Sequence, residues 1–365
     1  MTHPGAHYPR LQSEGFRLIP WSISRKSLNP IRELRSLLEV VQAYRRERPD
    51  LVHHIALKPI VFGSFAARLC GGVPAVNSVT GLGPLFTTPR VLYVALRLLL
   101  VGLLRFCLAP QNASLITQNE DDRDLLCHLG VSEPRKASVI FGFGVDTDNY
   151  FVPHSRCAGP VVVTLPARML WEKGVREFVD AAAELRTRNV AARMVLVGSP
   201  DHNNRGSISE EQLKRWSRSG IVEWWGHCDD MKEILSLSDI VCLPSYREGI
   251  PRILIEAASC ARAIVTTNAP GCSAVVQHGV NGFLVPTKDS KALADALSVL
   301  IHDPERRAAM GLAGRALAIE KFSERITLPK MMRAYDQSLG VSWRNASRPI
   351  DREFKLAANK HNFSR

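Results

Sequence analysis

Short runs of β-branched and other apolar residues alternate with longer amphipathic stretches along nearly all of the 365 residues. That alternation points to parallel α/β units, because each strand needs a crossover long enough to carry the chain back to the same edge. The spacing predicts strands at 16–19, 51–56, 75–80, 114–117 and 138–140 in the first half. In the second half it predicts them at 161–165, 193–197, 222–225, 240–243 and 264–267. Helical patterns fall between, for instance at 30–48, 59–70, 175–187 and 291–301, and there is no internal repeat. Turn formers crowd into 141–160, where Gly142, Gly144, Asp146, Asp148, Asn149, Pro153, Gly159 and Pro160 mark a domain boundary. The expected organisation is α/β with two domains, 1–150 and 151–340, and a basic tail at 341–365. Ligands of open parallel sheets bind beyond the strand carboxyl ends, so two such domains would face each other across a cleft.

Charge narrows the partners. Lys and Arg number 47 against 35 Asp and Glu, a net +12, which fits nucleic acid, an acidic membrane surface or a phosphorylated substrate. Nucleic acid ranks last, because aromatic residues do not interleave with the basic ones and no known module is present. The eight cysteines include no C-x-x-C pair, which excludes the common zinc and redox motifs and reads as reduced thiols in a cytosolic protein. The first ten residues carry no apolar signal region. Residues 91–109 are apolar apart from Arg97 and Arg105. They read either as a buried helix or as an interfacial helix on anionic lipid, with Arg90 adding to a basic stripe.

Two loops carry the chemistry. The first is Ser245-Tyr-Arg-Glu-Gly-Ile-Pro-Arg-Ile-Leu-Ile-Glu256, which follows an apolar strand and places Pro251 where a helix begins. The free N–H groups around Gly249 and Ile250 would form an anion or hydroxyl site, with Glu248 in the loop and Glu256 inside the helix. The same spacing suits a surface Glu and an i,i+4 helix ion pair, and spacing alone does not choose. The second loop, Pro166-Ala-Arg168-Met-Leu-Trp-Glu-Lys173-Gly174, follows the first strand of the second domain. An Arg and a Lys there suit a diphosphate, and the alternative is a solvated basic loop. Both loops lie at strand carboxyl ends of one domain, so both can face one crevice.

These residues resemble the retaining family 4 glycosyltransferases of the GT-B fold, two Rossmann-like parallel-sheet domains facing a cleft. Glu248 and Glu256 match that family's E-x7-E motif, and Arg168 and Lys173 stand where it has a diphosphate-gripping pair. Phe141-Gly-Phe-Gly-Val-Asp146 is similar to its interdomain N-G-V-D element, and Asn281-Gly-Phe-Leu-Val-Pro286 to its N-G-x-L-V turn. Leu51-Val-His-His-Ile-Ala-Leu-Lys-Pro59 and Asn77-Ser-Val-Thr-Gly-Leu-Gly83 are similar to a branch acting on polyprenyl-diphosphate-linked sugars, which includes bacterial N-acetylgalactosaminyltransferases.

The resemblance implies transfer of a sugar of N-acetylhexosamine type from a UDP-linked donor to a lipid-linked saccharide, with retention of configuration. It implies cell-surface polysaccharide or glycan biosynthesis with neither metal nor cofactor, and the 91–109 stretch with the net +12 adds peripheral attachment on the inner, cytoplasmic face of the membrane. Arg168 and Lys173 would stabilise the leaving diphosphate. Glu256 would hold the ribose, Glu248 the transferred sugar, and the N–H groups of Gly249 and Ile250 the same donor. His53, His54 and Lys58 are acceptor-side candidates, although a strand histidine is more often a hydrogen-bonded core residue. Thr80 stands where many relatives carry His and cannot act as a base near neutral pH, so Thr80 and Gly81 are expected only to line the site. Asp146-Thr-Asp148 spells a D-x-D metal signature of another fold, but here it lies in the linker and reads as structural. The family's opening strand, glycine loop and helix are missing ahead of His7, which points to an upstream start or an incomplete paralogue. The rival functions are an inactive nucleotide-sugar-binding paralogue and a GT-B sugar-nucleotide epimerase.

Overall fold

The computed structural model describes residue 1 and residues 8–23, 29–82, 86, 91–151 and 159–340. The tail at 341–365, Gly83, Arg90 and linker residues 152–158 lie outside them.

Among the described residues the strands form two sheets. The first contains β1 (Val52–Ile55), β2 (Ala75–Val79), β3 (Ala113–Thr117) and β4 (Ala137–Val139), parallel and in the order β1-β2-β3-β4. The second contains β5 (Val161–Pro166), β6 (Ala192–Val197), β7 (Glu223–Trp224), β8 (Ile240–Leu243), β9 (Ala263–Thr267) and β10 (Gly282–Val285). It is also parallel, in the order β10-β9-β8-β5-β6-β7. Strands β2, β3, β8 and β9 are buried along their whole length, as apolar runs covered on both faces must be. From β5 the chain goes outward to β6 and β7, then returns to place β8 on the other flank of β5. That reversal is a topological switch point, and it opens a crevice at the carboxyl ends of β5 and β8.

Two sequence expectations change here. Residues 16–19 form no strand: Arg17 turns outward to pair with Glu47 at 2.9 Å, and Pro20 supplies no N–H to extend a ladder. Conversely, the turn at Asn281 runs straight into β10. A Cβ on Gly282 would lie 2.2 Å from the Ile264 carbonyl oxygen, so glycine here permits close strand pairing as well as a turn.

Helices take their limits from local chemistry. Asn29 caps the Pro30–Glu47 helix by accepting from Ile31 N at 3.0 Å, Pro30 needs no N–H there, and Arg48 ends the helix at φ 45°. The last described helix, Glu324–Leu339, lies on the first sheet although the sequence groups it with the second domain. Met331 and Ala334 pack with Val76, Ile116 and Ile140, Tyr335 bonds His53, and Ser338 bonds Ser114 at 2.7 Å. The chain crosses between the halves at two places that lie side by side. Val145 N donates to Phe322 O at 2.9 Å, and Glu324 N donates to Val145 O at 3.0 Å. A Cβ on Gly144, at φ 81°, would meet Thr327 Oγ1 and Glu324 N, so glycine allows this contact.

Candidate functional site

The two loops at the switch point are locked to one another by backbone. After β5 the chain passes Arg168, makes a single turn at Trp171–Lys173 and reverses at Gly174, φ 71°. A Cβ on Gly174 would sit 2.0 Å from the Pro244 carbonyl oxygen, so only glycine lets the β5 loop lie against the β8 loop. Tyr246 N and Ser245 Oγ both donate to Glu172 O, at 3.0 and 3.1 Å, and Tyr246 Oη donates to the buried Glu177 carboxylate at 2.7 Å.

This locking brings the Lys173 ammonium onto the Glu248 carboxylate, with the two side chains only 15% and 12% exposed. Arg168 stands further out, half exposed, and its guanidinium pairs with Asp201 at 2.8 Å. Each cation therefore carries a carboxylate partner. The Lys173 pair is largely shielded from solvent, whereas the Arg168 pair is half exposed and more strongly screened. Glu256 is buried inside the Arg252–Ser259 helix and accepts from Arg252 Nε at 2.7 Å. The i,i+4 pair that the spacing also allowed is thus present. Burial, with Glu256 beside it, raises the Tyr150 hydroxyl above its usual pKa.

The first half reaches this loop. Gly249 sits so close to Thr80 that a Cβ would come within 2.0 Å of the Thr80 carbonyl oxygen. A Cβ on Gly81 would lie 3.3 Å from Gly249 N, and Gly142 faces Ile250. Thr80, Gly81, Gly249, Ile250, Glu248, Lys173 and Arg168 are therefore gathered around one loop cluster. Sequence reasoning missed four neighbours, Gln118, Asn119, Asp122 and Arg247. Asn119 Nδ2 donates to Gly249 O at 2.7 Å, and Arg247 pairs with the fully buried Asp122. A signal was available, since Gln118 and Asn119 directly follow β3 at a strand carboxyl end.

Three acceptor-side candidates are held elsewhere. His53 is bonded through Nδ1 to Tyr335 Oη at 2.9 Å and through Nε2 to Ser78 Oγ at 2.7 Å. His54 is bonded through Nδ1 to Asn77 Oδ1 at 2.7 Å and through Nε2 to Tyr44 Oη at 2.9 Å. Burial, with His54 adjacent, lowers His53 to about 4, and burial also lowers His54. Both are neutral scaffold groups bonded on opposite faces of β1, because alternate strand residues point to opposite sides. Lys58 pairs with Glu33 at 2.8 Å. Asp146 accepts from the backbone N–H groups of Asp148 and Asn149, both at 3.1 Å, and Asp148 pairs with Arg325 at 2.5 Å, which is structural work.

The helix at 91–108 is both buried and exposed. Val101, Leu104, Cys107 and Leu108 pack into the first core, while Leu98 and Leu99 are 70% and 62% exposed. Arg105 donates to Leu129 O at 2.9 Å. No helix among the described residues is long and apolar enough to cross a membrane.

Comparison with known proteins gives two family matches. Residues 160–303 match the model of glycosyl transferases group 1, and residues 1–119 match a glycosyl transferase 4-like model. The chain is 28% identical over 343 residues to the N,N'-diacetylbacillosaminyl-diphospho-undecaprenol alpha-1,3-N-acetylgalactosaminyltransferase of Campylobacter jejuni, covering 90% of this chain and 88% of that one. It is 26% identical to the UDP-Gal:alpha-D-GlcNAc-diphosphoundecaprenol alpha-1,3-galactosyltransferase of Escherichia coli, covering 76% and 73% respectively. In fold it is similar to Anabaena Alr3699/HepE, solved in complex with UDP, with a TM-score of 0.72, 21% identity and coverage of 90% and 88%.

Proposed function

We propose, for a chain that belongs to the group 1 and 4-like glycosyltransferases of GT-B fold, that it moves a sugar from UDP to a polyprenyl-diphosphate-linked saccharide. The transferred sugar is of N-acetylhexosamine type, the anomeric configuration is retained, and the product belongs to cell-surface polysaccharide or glycan assembly. The observation that carries this reading is the placement of Lys173, Glu248 and Arg168 on adjacent loops at the β5/β8 switch point.

The chain's own residues account for the steps. Lys173 and Arg168 exchange their carboxylate partners for the donor diphosphate and stabilise the charge that grows as UDP leaves. Glu248, released from Lys173, accepts from hydroxyls of the transferred sugar. Glu256 holds the ribose from inside its helix. Gly249 and Ile250 bring backbone N–H groups to the same donor, and Thr80 and Gly81 close the site from the opposite half. No resident metal or cofactor takes part in this scheme.

The lipid-linked acceptor calls for a position at the membrane surface, on the cytoplasmic side. The exposed Leu98 and Leu99 support peripheral attachment to anionic lipid. A second stripe supports it too: Ile31, Leu34 and Leu38 are exposed on one face of the Pro30–Glu47 helix, beside Arg32 and Arg35. The Lys58–Glu33 pair places the start of that helix at the carboxyl end of β1.

The test is to incubate the full chain with UDP-sugars and a polyprenyl-diphosphate saccharide. UDP release should be measured, with acceptor mass and anomeric configuration. A mass gain of one N-acetylhexosamine with retained configuration is the expected result. UDP binding without transfer would point to a binding paralogue, and interconversion of the UDP-sugar without acceptor to an epimerase.

A further inference from the structure

The loop that carries Glu248 belongs to the second half, yet both residues flanking Glu248 are held by the first. Arg247 pairs with Asp122, and the carbonyl of Gly249 accepts from Asn119 Nδ2 at 2.7 Å. Asn119 and Asp122 are both completely buried. They also brace each other: Asp122 N donates to Asn119 Oδ1 at 2.7 Å, and Asn119 Nδ2 reaches Asp122 Oδ2 at 3.2 Å. Thr117 Oγ1 donates to Asn119 O at 3.0 Å and ties the group to the end of β3.

We propose that Asn119 and Asp122 are positioning residues for the donor loop. They fix Arg247 and Gly249 from the opposite half, and so set where Glu248 meets Lys173 and the nucleotide sugar. This rests on the donor reading above. Three observations carry it.

First, the contact is polar and largely buried, with Asn119 and Asp122 fully covered and Arg247 17% exposed, so either residue removed alone leaves a mostly buried group without its partner. Second, Arg247 Nε is buried without a hydrogen-bond partner, so the ion pair with Asp122 is what holds the guanidinium in place. Third, the loop has no slack. Gly249 lies against Thr80, and a Cβ on Gly271 would meet the carbonyl oxygens of Glu248 and Gly249 at 2.5 and 2.6 Å. A shift at Asn119 must therefore pass to Glu248.

Asn119→Asp is the sharpest variant. It keeps shape and helix cap but replaces the donor facing the Gly249 carbonyl with an oxygen. Asp122→Asn keeps shape and removes the charge opposite Arg247. In the full chain, held well below its unfolding temperature, each should weaken UDP binding about five- to thirty-fold by calorimetry, and Asp122→Asn with Arg247→Met should be no worse than the worse single change. Hydrogen exchange of the amides at 247–254 should quicken in both single variants. Unchanged UDP affinity with unchanged exchange, even with a lowered unfolding temperature, would overturn the proposal. If the unaltered chain binds no UDP, the donor reading fails. Exchange then decides alone: quickened exchange confined to 247–254 sustains the positioning role, and unchanged exchange ends it.

Discussion

Removing the Glu248 carboxylate leaves the Lys173 ammonium without a counter-charge where it is only 15% exposed. Glu248→Ala should therefore lower the unfolding temperature of the ligand-free chain, by a few degrees for about 1 kcal/mol. UDP should raise it by more in the variant than in the unaltered chain, because a diphosphate restores the missing charge. Thermal scans with and without UDP check this, and an equal UDP shift in both would count against Lys173 as a diphosphate ligand. His53 sets a pH limit in the opposite part of the molecule. Its pKa falls from 6.5 to about 4 on folding, so the unfolded chain takes up a proton first as pH drops. Stability is complete above pH 6.5 and declines towards pH 4, by up to about 1.4 kcal/mol per pH unit for this group. His53→Gln should flatten the denaturation midpoint across that window. That the two loops share one crevice was legible in the sequence, because each loop is short, local and bounded by Gly or Pro. Asn119, Asp122 and Arg247 were not, because their meaning lies in contacts across some 125 residues of chain. The partners of His53 and His54 were not legible either, because strand position alone does not tell which neighbours satisfy a ring.

At the scale of elements, the alternating pattern announced nine of the ten strands among the described residues, since fully buried parallel strands read as unbroken apolar runs. It failed at β10, where Gly282 serves a turn and a tight strand contact at once, and at 16–19, where Pro20 ends any ladder. The 91–108 helix shows what composition leaves open: its residues suit a core and an interface alike, and the fold buries one face while leaving Leu98 and Leu99 exposed. Its outward face can be tested by itself. Leu98 and Leu99 face away from the first core, so Leu98→Glu with Leu99→Glu should leave folding intact by circular dichroism. The pair should cut co-sedimentation with anionic liposomes several-fold, and binding by the unaltered chain should weaken as salt rises. Binding that ignores both lipid charge and the two glutamates would show that the face is not a lipid contact.

At the scale of the whole molecule, the turn-rich stretch at 141–160 lies between the last strand of one sheet and the first strand of the other, but the last helix obeys packing rather than chain order. Glu324–Leu339 covers β2 and β3, and satisfies His53 and Ser114 with Tyr335 and Ser338. A chain ended after Ser323 should lose several kcal/mol from the first half alone, because Val76, Ile116 and Ile140 are uncovered together. Calorimetry should then resolve two unfolding steps, the lower one assigned to the first sheet by protection of its amides, and a single unshifted step would contradict this. The same helix fixes an order of assembly. The second sheet is spliced into the first half, as a guest within its host. During synthesis the first sheet emerges early yet stays uncapped on one face until nearly all of the guest has been made. The usual sequence is thereby inverted: the part translated later has its complete set of partners sooner, and the part translated first is finished last.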